Sequence, residues 1–68
     1  MESREITEDK RRYLPLLLVA DEQEEMVMRY LPQGTLFALF DPELCAVAVV
    51  TDEGEGCCEL KNLAVEPS

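Results

Sequence analysis

"CCELKNLAVEPS", Cys57 to Ser68, is the stretch that decides how this chain folds. It alternates as a β-strand does. Cys57, Glu59, Lys61, Leu63 and Val65 are expected on one face, and Cys58, Leu60, Asn62 and Ala64 on the other. The run reads as a buried strand that presents a single carboxylate, Glu59.

Upstream, "TDEGEG" (51–56) is an acidic turn with two glycines, and two β-rich runs precede it, "TLFALF" (35–40) and "LCAVAVV" (44–50). Asp41-Pro42 is the turn signal between them, so the three runs form an antiparallel meander. Neither of the first two alternates cleanly, which implies a sheet covered on both faces. The first half of the chain reads helical. Tyr13, Leu16 and Leu17 stand at i, i+3 and i+4, with Leu14 and Leu18 on the adjoining stripe. Pro15 lacks an N–H, so the helix is expected to start near Leu14 or to kink there. Asp21 and Glu24 have the spacing of a capping box, which places a second helix with Met26, Val27, Tyr30 and Leu31 on one side. Pro32 and Gly34 end it. A short opening strand is expected around Arg4 to Thr7. The expected class is α+β, with two N-terminal helices packed on a three- to four-stranded antiparallel sheet. Those helices suffice to cover one face.

Sixty-eight residues allow one small domain. A chain of this size buries only about 60% of its unfolded surface, so its stability is marginal. The 47% hydrophobic content is nevertheless that of a globular protein. Fifteen acids against six bases give a net charge of −9, a field that repels phosphate backbones and argues against nucleic acid. Lys10-Arg11-Arg12 reads as a solvated helix face. "MESREITEDK" is charged throughout and cannot be a signal peptide core. The apolar run from Leu14 to Ala20 is far short of the ~20 residues that span a bilayer. A soluble, cytoplasmic protein without a membrane partner is expected. Cys45, Cys57 and Cys58, with no histidine, are expected to be free thiols acting as small apolar fillers. They cannot make up a four-ligand zinc site, and no metal is expected.

Taken together, "REITEDKRRYLPLLLVADEQEEMVMRYLPQGTLFALFD", "LCAVAVV" and "CCELKNLAVEPS" resemble the N-terminal half of the GNAT N-acetyltransferase superfamily. The most specific piece is "ELKNLAVEPS", which is similar to the fourth strand of that fold. The resemblance spans residues 1–68 and implies a partial GNAT (acyl-CoA N-acyltransferase) fold, about half of a family domain. In family members, such a stretch runs into a Q/R-x-x-G-x-G/A loop that holds the pyrophosphate of acetyl-CoA on backbone N–H groups and a helix N-terminus. No such run occurs here, and Ser68 stands where the loop would begin. The chain is therefore expected to end between the acceptor half and the cofactor-phosphate half, and to bind acetyl-CoA weakly or not at all by itself.

The resemblance also implies site residues. Acetyl transfer to an amine needs a base for the ammonium proton and donors for the thioester oxygen. Glu59 stands where the family often places a glutamate base, four residues before the main chain that meets the thioester. Burial of its strand face would raise its pKa towards the working range. The plainer alternative is that Glu59 pairs with Lys61 or points to solvent at a sheet edge. Leu63, Ala64 and Val65 would contribute main-chain groups to acetyl-CoA, although their side chains also suit a core. Tyr13 and Tyr30 are core residues or lining of an acceptor pocket, and Asn62 a buried, hydrogen-bonded one. Two functions are carried forward. One is a piece of an acetyltransferase whose full-length parent acts on an amine with acetyl-CoA. The other is a non-catalytic interaction module that self-associates, as a homodimer through its exposed last strand, or pairs with the missing C-terminal half.

Overall fold

A computed structural model describes residues 2–66; Ser68, where the phosphate loop was expected to begin, lies outside them. The element order is β1 (Glu2–Ile6), a 3₁₀ turn (Lys10–Tyr13), α1 (Leu14–Ala20), α2 (Glu24–Tyr30), β2 (Thr35–Phe40), β3 (Leu44–Gly54) and β4 (Cys57–Val65). The strands form one antiparallel sheet in the order β1-β2-β3-β4, with both helices inserted between β1 and β2. The α+β arrangement and the short opening strand are as the sequence predicts.

Registers show which residues share a face. Leu36 lies opposite Val49, Ala38 opposite Val47, and Val47 in turn opposite Ala64. All five are buried beneath Leu16 and Leu17 of α1, Val27 and Tyr30 of α2, and Leu31 just beyond it. Each fully buried Leu or Val here is worth about 1.5–3 kcal/mol relative to exposure. Pro15 sits in the first turn of α1, where a missing N–H costs nothing. The 3₁₀ turn before it carries the basic triplet, and Lys10 departs from the expected solvated face. Its ammonium donates to the carbonyls of Gly34 (2.7 Å) and Leu31 (3.2 Å). The Leu31 carbonyl lies at the C-terminal end of α2, where a cation is favoured, and Gly34 in the turn that leads to β2. Asp21 does not cap α2 as a box. It accepts from the N–H of Gln23, while the helix itself begins at Glu24.

As the two helices predict, the described elements cover one face of the sheet. On the other face Leu60, Leu63 and Val65 are 57%, 55% and 63% exposed, with Phe37 also exposed, and no element lies over them among the described residues. Two expectations are corrected, and the first is the unbroken alternation of β4. Val49 pairs with Asn62, but the next residue, Val50, pairs with Leu60. Lys61 is thus the extra residue of a β-bulge, and alternation reverses across it. Glu59 lies opposite Thr51, on the helix side with Asn62 and Ala64, whereas Leu60 joins Leu63 and Val65 on the open face. The second is the role of the cysteines: Cys57 and Cys58 are exposed near the hairpin tip, beyond the cover of the helices, so they fill no core; Cys45 is half-buried, and all three are free thiols. Met26 is likewise exposed rather than packed.

The loop from α2 to β2 passes close against β3 at Gly34. A Cβ there would stand 2.8 Å from Val49 Cγ1 and 3.0 Å from the Tyr30 carbonyl oxygen. Gly34→Ala is therefore expected to destabilise the fold by about 1–3 kcal/mol, the cost of overpacking a dense site, read as a lower urea midpoint at unchanged m-value.

Candidate functional site

The central part of β4 is tied to both helices by one amide. Asn62 is 5% exposed, and its Nδ2 donates to the Leu17 carbonyl (3.0 Å) and to Tyr30 Oη (2.9 Å). The Tyr30 hydroxyl donates onward to Asp21 Oδ2 at 3.3 Å. These bonds satisfy Nδ2 as burial requires, whereas the buried Oδ1 meets no partner among the described residues. The expected buried, hydrogen-bonded asparagine is found. Tyr30 proves to be both core and site lining, while Tyr13 is a partly buried neighbour of the core. Burial in this network pushes the Tyr30 phenol above its ordinary value of 10.0.

Above the bulge, α2 and the sheet part to leave a cleft of about 490 Å³. Met26, Arg29 and Tyr30 line its helix wall, and Thr51, Glu53 and Lys61 its sheet wall. The Thr51 hydroxyl donates to Glu53 Oε2, which holds that carboxylate at the rim. Sequence reasoning missed Arg29, Thr51 and Glu53. Nothing in their spacing marks them, because the cleft is assembled from three separate elements. Glu59 stands at the same end of the sheet, opposite Thr51 and paired with the Lys61 ammonium. The pairing foreseen as the plainer reading is present. The desolvation foreseen for a base is not, since the Glu59 side chain is 51% exposed. Lys61 has its pKa raised, first by that bond to Glu59.

Leu63, Ala64 and Val65 follow on β4, opposite Ala48, Val47 and Ala46. The bulge separates Glu59 from the face of the Leu63 and Val65 side chains. Main-chain groups, by contrast, lie in the plane of the sheet and are reached from its edge. β4 is that edge: it pairs with β3 on one side and with no other strand among the described residues. No cluster of three or more His, Cys, Asp or Glu suited to a metal ion occurs among the described residues, and no helix is long and apolar enough to cross a membrane.

No family model matches the chain, and no curated protein matches it. Solved structures do. A GNAT family acetyltransferase from Elizabethkingia anophelis with acetyl-CoA bound superimposes with a TM-score of 0.82 and 28% identity. It covers 94% of this chain, which spans 42% of that one. An acetyltransferase from Bacillus subtilis in complex with CoA gives a TM-score of 0.81 and 27% identity, over 96% of this chain and 43% of its own. The chain thus has the N-terminal part of the GNAT acetyltransferase fold and spans about two fifths of the length of these relatives.

The Tyr30 network carries a pH dependence. A phenol whose folded pKa is raised leaves stability intact below the unfolded value of 10.0 and loses it as pH rises through the folded value. Tyr30→Phe is expected to flatten that alkaline loss. Urea midpoints measured from pH 8 to above pH 10 should fall more steeply for the native chain than for the variant; parallel curves would assign the loss to other groups.

Proposed function

We propose that this chain forms the acceptor-side part of an N-acetyltransferase that moves an acetyl group from acetyl-CoA to a primary amine. The observation that carries this reading is the likeness, over nearly the whole chain, to two acetyltransferases solved with acetyl-CoA or CoA. The cleft beside β4 supports it by supplying room for an acceptor next to Lys61, the partner of Glu59. In this reading the β4 edge at Leu63, Ala64 and Val65 meets the thioester and the adjoining part of the cofactor with main-chain groups. Backbone donors held by a sheet need no rearrangement as charge develops on the thioester oxygen. Glu59 serves as the base. Its task is to reach the acceptor's ammonium proton, directly or through one water, the accepted routes for a general base.

Among the described residues, no glycine-rich turn leads into a helix N-terminus of the kind that cradles a diphosphate. Gly54 and Gly56 have positive φ, but they flank an acidic hairpin turn at Glu55. Calorimetric titration of this chain with acetyl-CoA is therefore expected to show weak binding or none, and a micromolar Kd would mean that some segment here does hold the diphosphate. In a full-length parent, Glu59→Gln is expected to lower kcat at neutral pH by about 10²–10⁴-fold, the usual contribution of a general base, with acetyl-CoA affinity little changed. An unaltered pH–rate profile would move the proton transfer to another group.

The second reading, an interaction module, is favoured by one specific observation: the exposed apolar row of Leu60, Leu63 and Val65 beside an unpaired strand edge. Such an edge invites strand-to-strand pairing. On this reading the isolated chain is a two-fold dimer at micromolar concentration, and sedimentation equilibrium returning a monomer would remove the argument for it.

A further inference from the structure

Charged side chains of both signs line the cleft beside α2, and two of them are already engaged. Asp52 Oδ1 accepts the N–H of Gly54 at 2.8 Å and so belongs to the hairpin turn. Lys61 is bound to Glu59. Arg29 and Glu53 remain, one on the helix wall and one on the sheet wall. They share a cleft and carry opposite charges, yet no ion pair joins them among the described residues. A gap therefore separates them. Glu53 is steadied from behind by the buried Thr51, whose hydroxyl donates to Oε2 at 2.5 Å; Oε1 takes no hydrogen bond among the described residues. The Arg29 guanidinium is loosely held, 4.0 Å from Glu25 Oε1 and 4.0 Å from the Met26 thioether. An exposed pair at that separation contributes little. The planar fork is thus free to take a carboxylate.

We propose that this cleft binds a small zwitterion of the α-amino-acid type, its carboxylate on Arg29 and its ammonium on Glu53. The acetyl-transfer reading asks only for an amine. A carboxylate requirement and roles for Arg29 and Glu53 go beyond it, and neither involves Glu59. Charge selects this class of ligand. In a chain of net charge −9, a simple anion is repelled by the overall field. A simple cation satisfies Glu53 but leaves Arg29 facing it across the cleft. A zwitterion adds no net charge and sets each pole against its complement. Met26 and Tyr30 offer apolar surface on the helix wall for the body of the ligand. The volume of about 490 Å³ falls within the roughly 300–1,000 Å³ usual for small-molecule sites.

The test is a titration of the whole chain with L-leucine at neutral pH and fixed ionic strength, followed by the amide shifts of Arg29, Thr51 and Glu53. Two analogues are titrated beside it: 3-methylbutylammonium chloride, which lacks the carboxylate, and sodium 4-methylpentanoate, which lacks the ammonium. Leucine is expected to bind about three- to tenfold tighter than either, between the effect of an exposed ion pair and that of a charged hydrogen bond. Arg29→Gln should remove the advantage over 3-methylbutylammonium without weakening the binding of that cation. Glu53→Gln, which keeps an acceptor for Thr51, should remove the advantage over 4-methylpentanoate. Both side chains are exposed, so both variants should fold. Arg11→Gln makes the same change of net charge outside the cleft and should leave leucine affinity unaltered. Four results would each overturn the proposal: no binding of leucine, binding no tighter than that of the analogues, an advantage that survives Arg29→Gln or Glu53→Gln, or an equal loss in Arg11→Gln. The last would reduce the effect to overall charge. Acetyl-CoA is absent and Glu59 untouched, so failure here leaves the acetyl-transfer reading standing, and failure of that reading leaves this site standing.

Discussion

One extra residue in β4, Lys61, is the constraint on which the arrangement of the site depends. A regular strand would align Glu59 with Leu63 and Val65 and turn it away from the helices. The register step between Val49–Asn62 and Val50–Leu60 reverses this. Glu59 comes to the helix side, where the cleft lies, and Leu60 moves to the open face. The bulge occurs next to Asn62, whose amide is bonded to Leu17 and Tyr30. The irregularity is therefore held in place by the same side chain that docks β4 against both helices. Slipping the strand by one residue would bury Lys61 or Leu63 where Asn62 now sits and break both hydrogen bonds at once.

The core and the site share residues, and this shapes what each can tolerate. Tyr30 packs in the core, bonds Asn62 and Asp21, and lines the cleft. Lys10 satisfies carbonyls at the end of α2, which steadies the turn that brings Gly34 against Val49. In so small a domain there is little stability to spare, so these polar ties matter alongside the burial of Leu17, Leu31, Leu36 and their neighbours. The open face is the opposite case. Phe37, Leu60, Leu63 and Val65 leave apolar surface in water, an arrangement usually associated with a binding partner or a further layer of structure.

Much of the fold was legible in the sequence because hydrophobic spacing and turn residues act locally. The period of Tyr13, Leu16 and Leu17, the place of Pro15, the turn at Asp41-Pro42 and the glycines before Cys57 each restrict the backbone within a few residues. They suffice to order the elements. The likeness to the GNAT fold was legible for a related reason: "ELKNLAVEPS" combines strand pattern, buried asparagine and terminal proline in one short run.

The sequence by itself determined the order and type of the elements, but not the faces of β2 and β3, where apolar residues run without clean alternation and only the registers put Leu36, Ala38, Val47 and Val49 beneath the helices. It could not reveal the bulge, because an extra residue alters pairing between strands without altering the local pattern. That pairing alone decided that Glu59 faces the helix side and that Cys57 and Cys58 stand exposed beyond the helices. It also decided that Lys10 turns inward to the Gly34 carbonyl, a contact between residues 24 positions apart. The cleft has the same origin. Arg29, Thr51, Glu53 and Lys61 come from three elements whose proximity is set by the packing of α2 on the sheet, and no spacing along the chain encodes that distance.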